Sequence, residues 1–218
     1  MNIATLYKRP VAVARSTARS RDVESEATRR AILDAAEHLL ATRGEDGLSI
    51  REVCARAGVT PPTIYHHFGD KAALVARVVD DCFADFDRAF AGRAAPNDPV
   101  EALRWGFDRY VEYGLRHPTH YTLMFERRLG DPTPGGQASY DGLRRSVLRV
   151  AEAGRLTAAV DEATAALWSA MHGVTSLCIR GLWRPDAPCV ALARDAMIAQ
   201  LTRPAPRRGA RSKEGTRR

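Results

Sequence analysis

The chain has 218 residues, of which 45% are hydrophobic and 27% charged, and a net charge of +7. That is ordinary for a soluble globular protein, and long enough for one sizeable core or for a small module beside a larger one. No run approaches the ~20 apolar residues that a membrane helix needs. No basic-then-apolar leader with a cleavage site opens the chain, so a cytoplasmic location is expected.

The positive charge is unevenly spread. Residues 1–26 carry +2, 27–71 are neutral, 72–202 carry −1 and 203–218 carry +6. Net charge therefore does not by itself argue for nucleic-acid binding. Basic ends would add salt-dependent affinity for phosphates without reading sequence, and their plainer reading is solvated disorder. Residues 1–25 are expected to form a flexible basic arm and 203–218 a disordered basic tail. The four cysteines, Cys54, Cys82, Cys178 and Cys189, lack metal-type spacing, so they read as reduced, buried thiols. No metal and no cofactor is expected.

Residues 48–71 hold the most informative pattern. Ile50, Val53 and Cys54 recur at helical spacing, and Ile64 and Phe68 do so again after Ala57-Gly58-Val59. Gly58 suits the positive-φ position of a tight helix-helix turn. Thr60 is placed to cap the second helix, and Pro61 suits its first turn, where an N–H has no partner. Thr63, Tyr65, His66 and His67 then lie on a helix anchored by Ile64 and Phe68. This is the pattern of a helix-turn-helix whose reading helix comes last.

Further along, Leu74, Val75, Val78, Val79, Cys82, Phe83, Phe86 and Phe90 make a 3.6-period stripe capped by Asp70. Residues 92–99 are a break. Val100, Leu103, Phe107, Tyr110, Val111 and Leu115 mark the next helix, ended by His117-Pro118. A short helix over 121–126 precedes a Pro/Gly loop at 130–136. Leu143, Val147 and Val150 mark a helix that stops near Gly154. A long helix is expected from Asp161 to about Trp183, and a last one from Pro188 to about Leu201. No period-2 alternation occurs, so the expected fold is all-α, with about nine helices.

Residues 48–71 resemble the helix-turn-helix of the tetracycline-repressor (TetR) family of bacterial transcription regulators. The family's first helix falls on residues 30–43, followed by Gly47, Ser49, Ala57-Gly58-Val59, Tyr65-His66-His67-Phe68 and Lys71, the lysine that opens the next helix. Together these span about 48 residues. The resemblance implies a DNA-binding domain over 26–71 and a ligand-binding and dimerisation domain over 72–202. It implies that Ser49, Thr60, Tyr65 and Lys71 grip phosphates, and that Arg51, Pro61, Pro62, Thr63 and His66 are the candidates for base edges, with His67 beside them. The plainer readings are a packed core aromatic for Tyr65 and a solvated helix charge for Arg51.

Trp168-Ser-Ala-Met-His172-Gly173, after His117-Pro118 and the cluster Tyr121, Met124 and Phe125, is similar to the TetR regulatory domains marked by a tryptophan and a His-Gly pair. That resemblance implies a helical bundle that receives a small molecule and dimerises through its last two helices. Leu167, Ala170, Val174, Leu177, Cys178 and Gly181 form a small-residue stripe suited to that contact, its alternative being intramolecular core. Phe83, Phe86, Phe107, Tyr110, Tyr121, Met124, Phe125, Trp168 and His172 are the candidates to line an apolar ligand cavity. Taken singly, each reads first as core, and His172 as a satisfied core histidine.

The expected partners are a double-stranded DNA operator, a small-molecule effector and a second copy of the chain. The expected role is a ligand-responsive repressor on a near-palindromic operator. The alternative is a DNA-binding protein of the same fold with no small-molecule ligand and a structural or division-linked role. His117, His120, His172 and the cysteines form no nucleophile motif or metal-ligand set, and an enzyme would leave the reading helix unexplained.

Overall fold

The computed structural model describes residues 11–92, 94–125 and 133–204. The described residues form nine helices and no strand: α1 (Val11–Arg43), α2 (Ile50–Ala57), α3 (Pro61–Phe68), α4 (Lys71–Ala91), α5 (Pro99–Arg116), α6 (Pro118–Phe125), α7 (Pro134–Glu152), α8 (Val160–Ile179) and α9 (Pro188–Leu201). Among the described residues the only extended pairing is an isolated bridge between Leu156 and Thr202.

The chain divides into two compact units. The first holds the residues up to Cys82 together with 119–133, and the second holds 83–118 and the residues from Pro134 on. The expected boundary at 71/72 differs from this division on two counts. The first half of α4 goes with the first unit, and so does the segment that contains α6.

In the first unit, Ile32, Ala36, Leu39 and Leu40 of α1 are buried with Leu48, Val53, Cys54 and Ile64, so a three-helix core forms around one face of α1. Leu74, Val75, Val78 and Val79 of α4 add to it. Asp70 caps α4 as expected, its Oδ1 accepting from the Ala73 N–H at 2.7 Å. Burial pushes the Cys82 thiol up to about 12, so it stays protonated and packs as an apolar group. Cys54 and Cys178 are also buried, whereas Cys189 is only half-buried.

Two expected boundaries move. Helix α1 begins at Val11, inside the segment read as a flexible arm. No proline or glycine interrupts residues 11–43, so nothing breaks the hydrogen-bond ladder. Residues 1–10 and 205–218, which hold the rest of the arm and nearly all of the tail, lie outside the described residues. At the other end, α8 stops at Ile179 rather than near Trp183, because Gly181 adopts φ +71° and turns the chain out of the helix.

The second unit packs α5 against α7, α8 and α9. Phe107 and Tyr110 of α5, Val147 and Val150 of α7, Leu167, Met171 and Val174 of α8, and Ile198 and Leu201 of α9 are buried there. Asp98 caps α5, accepting from the N–H groups of Val100 at 2.8 Å and Glu101 at 3.1 Å. Its other oxygen accepts from Arg155 Nη1 at 2.6 Å, while Arg155 Nε donates to the Arg203 carbonyl at 3.0 Å. Those contacts hold the end of α9 beside the start of α5.

Candidate nucleic-acid interface

Helices α2 and α3 meet at Gly58, whose φ of +69° is open to glycine and costs other residues about 1–2 kcal/mol. The Val59 N–H donates to the Cys54 carbonyl at 3.1 Å and closes the end of α2. Thr60 stands at the N-cap of α3 with extended backbone, and Pro61 and Pro62 open the helix. The expected side-chain cap is absent. The Thr60 hydroxyl lies 3.1 Å from the Thr63 hydroxyl instead of accepting from a backbone N–H.

Helix α3 is two-faced. Ile64 is its one buried residue, and Thr63, His67 and Phe68 are half-buried. Pro61, Pro62, Tyr65 and His66 are exposed, and their spacing puts them on one face. Tyr65 is 49% exposed, which removes the reading as a packed core aromatic. Arg29 of α1 stacks over the Phe68 ring with its guanidinium carbon 5.7 Å from the centroid. This support for the reading helix was not visible in the sequence. On α2, Arg51 and Arg56 are exposed, whereas Glu52 is paired with Arg43 of α1. Ser49 and Lys71 are half-buried and flank the two helices.

His120 of α6 reaches α1 in the same unit, its Nε2 lying 3.0 Å from Glu37 Oε1. The hydrogen bond to His120 holds the Glu37 carboxyl below the usual carboxylate range. Its contribution is present above the unfolded glutamate range and is lost as pH falls through the lowered value.

The nine residues expected to line a cavity do not share one unit. Tyr121, Met124 and Phe125 belong to the first, and Phe83, Phe86, Phe107, Tyr110, Trp168 and His172 to the second. In the second unit an aromatic cluster forms: Phe86 stands edge-to-face with Tyr110 at 5.7 Å and Tyr113 at 5.0 Å and tilted against Phe90 at 4.7 Å, and Phe90 stands edge-to-face with Trp105 at 5.9 Å. Trp168 stands apart from this cluster. It is 36% exposed on α8, with ring contacts to His172 and to Tyr140 of α7.

The expected contact stripe on α8 is divided between the unit's core and its surface. Leu167, Val174 and Cys178 are buried in the second unit's own core, Ala170 and Leu177 are half-buried, and Gly181 lies beyond the helix. The outward face carries Ala165, Trp168 and Ser169, with His172 and Ser176 half-buried along it. On α9 the outward residues include Ala191, Leu192, Ala196 and Ala199, with Leu192 68% exposed. The two charges of α9 are both paired with α5: Arg194 donates to Asp108 at 2.7 Å, and Asp195 pairs with Arg104. The outward face of α8 is charged only at its start, where Asp161 and Glu162 are exposed.

Comparison with known proteins fits this geometry. Residues 32–78 match the bacterial regulatory proteins of the tetR family, and residues 103–201 match the tetracyclin repressor-like C-terminal domain. The chain belongs to the TetR family. Its members are DNA-binding transcriptional regulators, not enzymes. An uncharacterized HTH-type transcriptional regulator of Haemophilus influenzae is 44% identical over 62 residues, 28% of this chain and 30% of that protein. The HTH-type transcriptional repressor NicS of Pseudomonas putida is 31% identical over 107 residues, 49% of this chain and 50% of that protein. The matched stretches thus span half or less of these TetR relatives. Among solved structures, a protein of unknown function from Rhodococcus sp. RHA1 superposes with a TM-score of 0.66 at 26% identity, covering 81% of this chain and 96% of that one. A TetR-family regulator from Marinobacter aquaeolei VT8 superposes with a TM-score of 0.66 at 18% identity, covering 84% and 98%. No helix among the described residues is long and apolar enough to cross a membrane.

Proposed function

We propose that this TetR-family chain is a cytoplasmic, ligand-responsive repressor that binds a near-palindromic operator as a homodimer and is released by a mainly apolar small molecule. The reading helix carries the proposal: Ile64 is buried beneath it, and Pro61, Pro62, Tyr65 and His66 share its open face. A two-fold pair of such helices, about 34–36 Å apart, fits successive major grooves. The exposed apolar side chains of Trp168 on α8 and Leu192 on α9 support dimerisation there, because an exposed apolar surface on a regulator is a natural place for a second copy. The partial relative NicS is named a repressor, which favours that sense of regulation. The aromatic cluster of Phe86, Phe90, Tyr110 and Tyr113 supports an apolar effector in the second unit.

Two experiments test this. The first uses duplexes selected from a random-sequence library. Tyr65→Ala and Lys71→Ala each weaken binding about equally across related selected sites, because both side chains hold phosphate, and loss of the Lys71 charge also lowers the salt slope by about 1. Unchanged affinity in both variants, with an unchanged slope in Lys71→Ala, refutes these roles. The second is a melting-temperature screen of small metabolites. An effector at 100 times its dissociation constant stabilises the fold by about 2.7 kcal/mol and displaces the selected duplex. A broad screen without a stabilising compound favours the ligand-free DNA-binding alternative.

A further inference from the structure

The tip of the reading helix offers an incoming duplex no free backbone N–H in its first turn. Helix N-termini ordinarily present free N–H groups that grip phosphates or base acceptors. In α3 the first two helical positions are Pro61 and Pro62, which have no N–H to give. The third, the Thr63 N–H, donates to the Thr60 carbonyl at 3.0 Å, and the Ile64 N–H donates to the same carbonyl at 3.4 Å. The Thr60 and Thr63 hydroxyls lie 3.1 Å apart as one hydrogen-bonded pair. What remains exposed at this end is mainly two pyrrolidine rings, beside the Thr60 side chain, whose hydroxyl is engaged with Thr63.

A major groove shows donors and acceptors on every base pair but one apolar group only, the C5 methyl of thymine. We infer that Pro61 and Pro62 are specificity-determining residues that read thymine methyls, so each operator half-site carries thymine where the tip of α3 enters. Cytosine, which has no methyl group, is disfavoured at those positions. Hydrogen-bonded base reading falls to side chains elsewhere, with Arg51 on α2 able to take guanine. This rests on the operator-binding role proposed above.

The test uses wild-type full-length protein and the duplex it selects from a random-sequence library. Each thymine of the selected duplex is replaced in turn by deoxyuridine, which removes the methyl group and keeps every base-pair hydrogen bond. At one or two positions per half-site, affinity should fall about fourfold per methyl lost, the value of burying one carbon group. Cytosine at such a position should bind weakly, and 5-methylcytosine should recover part of the loss. In Pro61→Ser and Pro62→Ser, checked for an unchanged melting temperature, the thymine duplex should bind as weakly as the deoxyuridine duplex, with no further loss on removing the methyl. Equal binding of thymine and deoxyuridine duplexes at every position overturns the inference while leaving operator binding in place. So does a deoxyuridine effect that persists undiminished in both serine variants. If the wild-type protein selects no duplex at all, the operator-binding role itself falls.

Discussion

Replacing Leu192 and Trp168 together by aspartate should give a monomer and lower affinity for the selected operator by about ten thousandfold or more. Both side chains stand on the outer faces of α8 and α9, Leu192 68% and Trp168 36% exposed, and neither is among the second unit's buried core residues. Two carboxylates per copy would each need desolvation in a closed dimer contact, a cost that far exceeds the loss of two apolar contacts. A single reading head makes half the contacts of a pair. Specific affinities for whole operators are about 10⁻⁸–10⁻¹¹ M, so half the binding free energy leaves affinity within reach of non-specific binding. Light scattering at micromolar concentration and a binding titration check this. A dimer of undiminished affinity places the interface elsewhere. Val174 would be a poor site for the same test, since it is buried in the core and a charge there would unfold the unit.

The second large effect is Ile64→Ala. Ile64 is fully buried and is the one buried residue of α3, whose eight residues are too few for a stable helix without tertiary packing. Truncation removes its transfer free energy and leaves a cavity, at a cost of about 2–5 kcal/mol. The loss falls on the first unit, so an early step in thermal unfolding should separate from the melting of the remaining helices. Operator affinity should drop more than about a hundredfold while circular dichroism at room temperature changes little. A single unshifted unfolding transition would show that Ile64 does not anchor the reading helix.

The reading head was legible in the sequence because its determinants are local. Gly58, Pro61 and the spacing of Val53, Cys54 and Ile64 act within one or two turns of themselves, and the structure keeps each of them. Thr60 shows the limit of such reading. A threonine at an N-cap position has two partners within reach, and here its hydroxyl pairs with Thr63. The faces of α8 were not legible, because the helix bears charged side chains only at Asp161 and Glu162 and is otherwise nearly uniform around its axis. Which side is buried is decided by α5, α7 and α9, which no periodicity in α8 records. A faint signal did exist on α9, where Arg194 and Asp195 are adjacent, and only their pairing with α5 shows which side stays uncharged. The pairing of α6 with α1 includes His120 meeting Glu37 across 83 positions of sequence, beyond the reach of local pattern.

The most direct test of the account is a hydroxyl-radical footprint of the wild-type protein on its selected duplex. Two equivalent protected patches, related by a two-fold axis and centred about 10 base pairs apart on a near-palindrome, are the expected result. A single asymmetric patch, bound by one copy of the chain, would contradict it.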